Sequence, residues 1–248
     1  MASVAYNAYN AIMPADTAKQ KAWVMAIPHL HGLIFDWDGT IVDSAQAMFL
    51  SYRHAYKQHL GITFPRDDAD FRRLVPMRLA ESSARYGGAR AAAVAASYNR
   101  YYEQEGYKTG RVYSGVREML AELRRRGYGL GVASNKSRGR IDADIAFLGI
   151  DGLFDVLVTS EDTPERKPHP APLLKAAEQL GLPPAALAYI GDYSGDIIAA
   201  HAAGMVAIGV GWGGIFPLDT LHAARPDYMV HDPTALPALC PVHPITSR

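Results

Sequence analysis

Short apolar runs that stop abruptly at acid, amide, hydroxyl or glycine recur along this chain. Gly32-Leu-Ile-Phe ends at Asp36, Gly129 to Ala133 at Ser134-Asn135, and Val156 to Val158 at Thr159-Ser160. Leu187 to Ile190 ends at Gly191-Asp192, and Val206 to Val210 at Gly211-Trp212-Gly213-Gly214. A run without polar alternation reads as a strand buried on both faces, the habit of parallel sheets. Between the runs, apolar residues return at three-to-four spacing over Val116 to Arg126, Ile141 to Leu148, Pro172 to Leu180 and Asp196 to Ala203, which predicts helices. Strands alternating with helices predict an α/β fold, a Rossmann-like, doubly wound parallel sheet covered on both faces.

The pattern changes from Ser44 to Tyr107, where helical periodicity continues without a strand. Helices are expected at about 45–59, 67–74, 77–86 and 90–104, with Gly61, Gly87-Gly88 and Gly106 as stops. The expected plan is an N-terminal extension (1–31), a core (32–43 and 108–232) interrupted by an all-helical cap (44–107), and a C-terminal tail (233–248). An insert directly after the first strand belongs above the carboxyl edge of the sheet, as a lid. Pro226 to Val230 is expected to add an edge strand, and His231 to Arg248, with four prolines, to form a loose tail. Met1 to Val24 is expected to be a mobile arm, a partner-binding helix or a misassigned start, and it carries no signal-peptide pattern.

With 248 residues, 25 Lys plus Arg and 25 Asp plus Glu, the chain has the size for a proper core and no global field for nucleic acid. A charged ligand must be held locally. No apolar run approaches about 18 residues, so no membrane span is expected. Cys240 is the only cysteine, which excludes internal disulfides and thiolate-rich zinc sites and fits a reducing cytoplasm. His29 and His31 precede the first strand, away from the acids, and read as linker. No HExxH or G-x-S-x-G string occurs. A monomer or a homodimer is expected.

Candidate chemistry begins with Asp36-Trp37-Asp38-Gly39-Thr40-Ile41-Val42-Asp43-Ser44. Two carboxylates stand two residues apart just past a buried strand, and Gly39 permits a turn that brings both toward one pocket. One carboxylate can attack phosphorus while the other gives and takes a proton; alternatively they are a capping acid and a turn acid. The string, with Leu33-Ile34-Phe35 before it, resembles the haloacid dehalogenase superfamily, whose phosphatases carry DxDGT after the first strand. The resemblance implies that Asp36 is nucleophile and metal ligand, and that Asp38 is general acid and base with its carbonyl on the metal. Dehalogenases of the superfamily lack the second aspartate and phosphonate-cleaving members carry alanine there, so Asp38 implies phosphate-ester chemistry.

Three further matches fall at strand ends in the family's order. Ser134 and Asn135 offer a hydroxyl and backbone N–H groups to a phosphoryl oxygen, where an isolated serine would equally read as a helix cap. Lys167, in Lys167-Pro168-His169-Pro170, is implied to offset repulsion between the attacking carboxylate and a phosphate dianion. Gly191-Asp192-Tyr193-Ser194-Gly195-Asp196 is similar to the family's GDxxxD motif, implying Asp192 as a direct ligand and Asp196 as an outer or water-mediated one. Oxygen-only donors suit a hard cation that keeps several waters, so Mg2+ is the expected cofactor.

The resemblance spans about 32–232, and the insert is similar to the cap of phosphoglycolate phosphatases and beta-phosphoglucomutases. In Phe71-Arg72-Arg73-Leu74-Val75-Pro76-Met77-Arg78-Leu79, Arg78 stands where the mutase type carries arginine, and is the candidate reader of a second anion. The expected function is hydrolysis of a small phosphorylated metabolite, phosphoglycolate-like or a sugar phosphate, through an aspartyl-phosphate on Asp36. The alternatives are a sugar-phosphate mutase and a non-catalytic binding protein on the same fold.

Overall fold

The apolar runs form a parallel sheet. The computed structural model describes residues 12–13 and 26–242. The strands are β1 (Ile12–Met13), β2 (Gly32–Phe35), β3 (Val42–Asp43), β4 (Arg111–Val112), β5 (Gly129–Ala133), β6 (Val156–Val158), β7 (Leu187–Gly191), β8 (Val206–Val210) and β9 (Tyr228–Val230). The main sheet has the order β1-β9-β8-β7-β2-β5-β6, parallel throughout except for β1 against β9. The chain therefore winds outward from β2 in one direction through β5 and β6, then in the other through β7, β8 and β9. That reversal puts a topological switch point at the carboxyl end of β2, where its neighbours β5 and β7 also end. β2 and β7 are buried at every residue, as their unbroken apolar sequences require.

The helices are α1 (Ala45–Leu60), α2 (Asp68–Leu74), α3 (Leu79–Gly87), α4 (Ala91–Gln104), α5 (Val116–Arg125), α6 (Arg138–Leu148), α7 (Ala171–Leu180), α8 (Ser194–Ala203) and α9 (Leu218–Ala223). Their ends follow the sequence: α1, α7 and α8 stop at Gly61, Gly181 and Gly204, each in the left-handed conformation that glycine adopts without cost. Asp67 caps α2 by accepting from the Asp70 N–H at 2.9 Å. On one face of the sheet Leu173, Ala176 and Ala177 of α7 and Ile197, Ala199 and Ala200 of α8 pack with Ile34, Ala133, Tyr189 and Ala207.

The chain divides into two compact units. One comprises Val112–Ser137 and the described residues up to Val42 and from Asp151 onward; the other comprises Asp43–Arg111 and Arg138–Ile150. The second unit is all-helical and rich in buried tyrosine. Tyr52 and Tyr98 rings meet at 4.6 Å, and the Tyr52 and Tyr56 hydroxyls reach the Ser82 hydroxyl and carbonyl.

Two expectations are corrected, and one pair of short strands is added. α6, expected within the core run 108–232, packs with the helical insert. The Tyr102 hydroxyl donates to the buried Asp144 carboxylate at 3.1 Å, Arg140 lies over the Tyr98 and Tyr102 rings, and Tyr107 meets Phe147 edge-on. β3 and β4, which pair in a small second sheet where the chain passes between units, were not expected as strands. Nor are residues 231–242 a loose tail. Pro233–Leu239 form a 3-10 helix with Leu236 and Leu239 fully buried, Arg126 donates to the Pro237 and Cys240 carbonyls, and the Tyr128 hydroxyl to that of Pro241. Pro233 stands at the start of this helix, where a backbone N–H would have no intrahelical partner, while Pro237 lies inside it and removes one donor. The expectations for Met1 to Val24, apart from Ile12–Met13, and for residues 243–248 lie outside the described residues.

Candidate active site

β2 delivers Asp36 to the sheet edge, where its N–H still donates to the Ile190 carbonyl at 2.8 Å. The chain then turns at once. The Trp37 carbonyl accepts from the N–H groups of Ile41 and Val42, Gly39 donates to the Val42 carbonyl, and Trp37 is wholly buried. Gly39 sits at φ +81°, and a Cβ there would overlap the Asp192 carboxylate. Glycine is needed twice over, for the turn and for the approach of Asp192. A Cβ on Gly213 would strike the Gly39 carbonyl, so the loop after β8 is also packed against this turn. Trp212 Nε1 donates to the Thr40 carbonyl at 3.0 Å and the Tyr113 hydroxyl to the Gly213 carbonyl at 2.6 Å.

Lys167 is 5% exposed, and a buried ammonium must be paired. Its Nζ donates to Asp196 Oδ1 at 2.7 Å and to the Tyr189 hydroxyl at 2.6 Å; that hydroxyl in turn donates to the Ala133 carbonyl. It also lies 2.8 Å from Asp36 Oδ1, closing an ion pair with that carboxylate. Burial alone would lower the Lys167 pKa, but Asp196 and Asp36 outweigh it and the ammonium is held above its ordinary value. The loop is pinned by Asn135, whose side-chain amide donates to the Lys167 carbonyl and accepts from its N–H, both at 3.0 Å. The Asn135 side chain is thus committed to Lys167, leaving its main chain as the part available to a ligand.

Asp192 and Asp196 differ in their partners. Asp196 is satisfied at both oxygens, by Lys167 and by the Tyr193 N–H at 3.0 Å. Asp192 is 4% exposed, and neither of its oxygens meets a donor. Burial, then the neighbouring Asp196 and Asp36, push its pKa well above the ordinary carboxylate range. Burial also raises Asp196, to about 6, against the pull of Lys167. Asp36, Asp192 and Asp196 present oxygens within 4.8 Å of one another. The orphaned, buried oxygens of Asp192 beside the Asp36 carboxylate are hard donors that fit a small divalent cation, and the single Lys167 ammonium leaves the charge of three carboxylates unbalanced.

Ser134 follows β5 and is 3% exposed. Two residues on, Lys136 extends a buried ammonium to Asp38 Oδ1 at 2.7 Å. Sequence reasoning missed Lys136 and Tyr189. The first looked like one more charge beside Ser134-Asn135, the second like one more apolar strand residue. Arg78 belongs to the other unit, where it is exposed at the N-cap of α3. Arg72 and Arg73 are exposed as well, and Arg73 pairs with Asp70 at 2.9 Å.

Two carboxylates on one strand-end turn, a buried lysine and a third carboxylate from the adjoining strand accord with a match to the haloacid dehalogenase-like hydrolase family over residues 33–210. The chain belongs to that family. It is 30% identical over 198 residues to pyrophosphatase PpaX of Bacillus velezensis, covering 80% of this chain and 90% of that one. It is 30% identical over 210 residues to phosphoglycolate phosphatase of Pasteurella multocida, covering 80% and 92%. Among solved structures, a haloacid dehalogenase-like hydrolase from Streptococcus pneumoniae superposes with a TM-score of 0.76 at 25% identity, over 85% of this chain and 98% of that one. The fold is shared too with CbbY of Rhodobacter sphaeroides in complex with xylulose-(1,5)bisphosphate, at a TM-score of 0.73 and 21% identity over 85% and 99%. This member of the haloacid dehalogenase-like family is an enzyme, a phosphatase acting on phosphate esters. No helix among the described residues is long and apolar enough to cross a membrane.

Proposed function

We propose that this phosphatase hydrolyses a small phosphorylated metabolite, phosphoglycolate-like or a sugar phosphate, through a covalent aspartyl-phosphate on Asp36. An Asp36 oxygen attacks phosphorus as the bond to the leaving oxygen breaks, and Asp38 gives its proton to that oxygen. Asp38 then takes a proton from water, which attacks phosphorus, releases orthophosphate and frees Asp36. Lys167, the Ser134 hydroxyl and main-chain N–H groups by Asn135 hold the phosphoryl oxygens.

The observation that carries the reading is Asp192, buried with both oxygens unpartnered and within reach of the Asp36 carboxylate that pairs with Lys167. Asp36, Asp192 and the Asp38 carbonyl are the groups that would hold Mg2+, with Asp196 behind them fixing Lys167. The bound cation would supply charge neutralisation between the carboxylate and the incoming phosphate dianion. Relatives named as phosphoglycolate phosphatase and pyrophosphatase support a small phosphorylated substrate. A single cysteine, buried Cys240, supports a reducing cytoplasm.

Phosphate release from p-nitrophenyl phosphate tests the reading. Activity should vanish on chelation, return with Mg2+, and fall by several decades in Asp36→Asn with folding intact. More than about 1% residual rate in that variant would sink the covalent route.

The remainder of the substrate we assign to Arg78. A bidentate, desolvated contact is worth on the order of 2 to 5 kcal/mol when one partner is removed, whereas a solvated arginine contributes almost nothing. Arg78→Ala should lower kcat/KM strongly for a metabolite with a second anion and barely for p-nitrophenyl phosphate. Equal losses on both, or none, would return Arg78 to its helix surface.

A further inference from the structure

We propose that Lys136 is the positioning residue for Asp38, holding its carboxyl group in the orientation that proton transfer needs. This rests on the acid–base role given to Asp38 above. Each carboxylate of the pair has a buried lysine of its own. Lys167 faces Asp36 and is built into the sheet edge through Tyr189 and Asp196. Lys136 faces Asp38, and its side chain is 1% exposed while that of Asp38 is 22% exposed. The lysine is thus the enclosed, immobile member of the pair and the aspartate the one open to reactants.

The backbone on both sides is fixed. On the Lys136 side, its carbonyl accepts from the Ser160 N–H at 3.0 Å, and its N–H lies 3.4 Å from the Ser134 hydroxyl oxygen. On the Asp38 side, the turn closed by Trp37, Gly39 and Val42 leaves side-chain rotation as the main remaining freedom. The ammonium at 2.7 Å from Oδ1 removes it.

An ammonium has donors and no acceptor, so the oxygen it touches must act as an acceptor in every protonation state of Asp38. The oxygen that Lys136 holds at 2.7 Å is therefore an acceptor throughout the cycle. Proton donation to the leaving oxygen and proton removal from water then take place with the carboxyl group in one orientation. The same contact holds the carboxyl plane, and a misplacement of about 1 Å in such a group costs on the order of a hundredfold.

The test is a double-substitution cycle in the Mg2+-loaded full chain, with p-nitrophenyl phosphate and phenyl phosphate as good and poor leaving groups. Lys136→Met, close in length but without donors, should keep its thermal transition. It should lose about ten- to a hundredfold in kcat/KM on phenyl phosphate and distinctly less on p-nitrophenyl phosphate. With the latter, phosphoenzyme should accumulate because water activation has slowed. In an Asp38→Ala background the same substitution should change the rate by less than about twofold, since a residue acting only through Asp38 has nothing left to act upon. Lys136→Ala, run in parallel, covers failure of the methionine variant to fold. Equal losses in both backgrounds would overturn the proposal and make Lys136 a direct contact of the phosphoryl group. No loss in the native background would overturn it too, leaving Lys136 a structural charge pair. If Asp38→Ala alone leaves turnover intact, the acid–base assignment fails, and that outcome is read from a separate variant.

Discussion

At the scale of single residues, the site depends on unequal treatment of four aspartates. Asp196 is saturated with donors, Asp38 is held by Lys136, Asp36 is approached by Lys167, and Asp192 is left bare. A bare buried carboxylate must take up either a proton or a cation, and pH decides between them. Asp192 and Asp196 have folded-state pKa values above their unfolded ones. The stability they contribute without metal is fully present below the unfolded carboxylate range. It is lost as pH rises through the folded values, near 6 for Asp196. Mg2+ should therefore raise the melting temperature more at pH 8 than at pH 5. Asp192→Asn should raise the melting temperature of the metal-free protein at pH 8 by about 2 to 4 °C and abolish most of the Mg2+ gain. An unchanged Mg2+ gain in that variant would remove Asp192 from the cation site. The aspartates and Lys167 were legible because each ends or follows a buried run in a motif of several residues. Lys136 was not, because its partner stands 98 residues away and only the pairing of β2 with β5 makes them neighbours.

At the scale of elements, legibility followed length and periodicity. β2, β5, β7 and β8 are four or five apolar residues with a polar stop, and α1 to α4 carry enough turns for their apolar stripes to show. β3 and β4 have two residues each, too few for any period. α6 was legible as a helix, but its partners were not. Tyr102, Asp144 and Arg140 meet only in three dimensions, and its chain position between β5 and β6 suggested the sheet instead. The C-terminal prolines by themselves suggest a loose tail, although Leu236, Leu239 and Cys240 beside them are fully buried. Leu236→Ala should cost about 2 to 5 kcal/mol in denaturant unfolding, as a cavity in a packed core does. A cost under about 0.5 kcal/mol would mean that the segment contributes little despite its burial.

At the scale of the whole molecule, equal numbers of acidic and basic residues leave no long-range field to draw in an anion. Capture of a phosphate must rely on charges concentrated at the switch point of the sheet, where β2, β5 and β7 end together. The topology makes that concentration possible, since one turn of chain after each strand delivers Asp36 and Asp38, Ser134 to Lys136, and Asp192. The proposed route forms a covalent bond to phosphorus at this edge, on Asp36. It is tested most directly by acid-quenching the Mg2+-loaded enzyme within the first turnover of p-nitrophenyl phosphate and mapping the modified peptide by mass spectrometry. One phosphoryl group is expected on Asp36, absent from Asp36→Asn and enriched in Asp38→Ala, where its hydrolysis is slowed. A phosphoryl group on another residue, or full turnover with no phosphoenzyme even in Asp38→Ala, would contradict it.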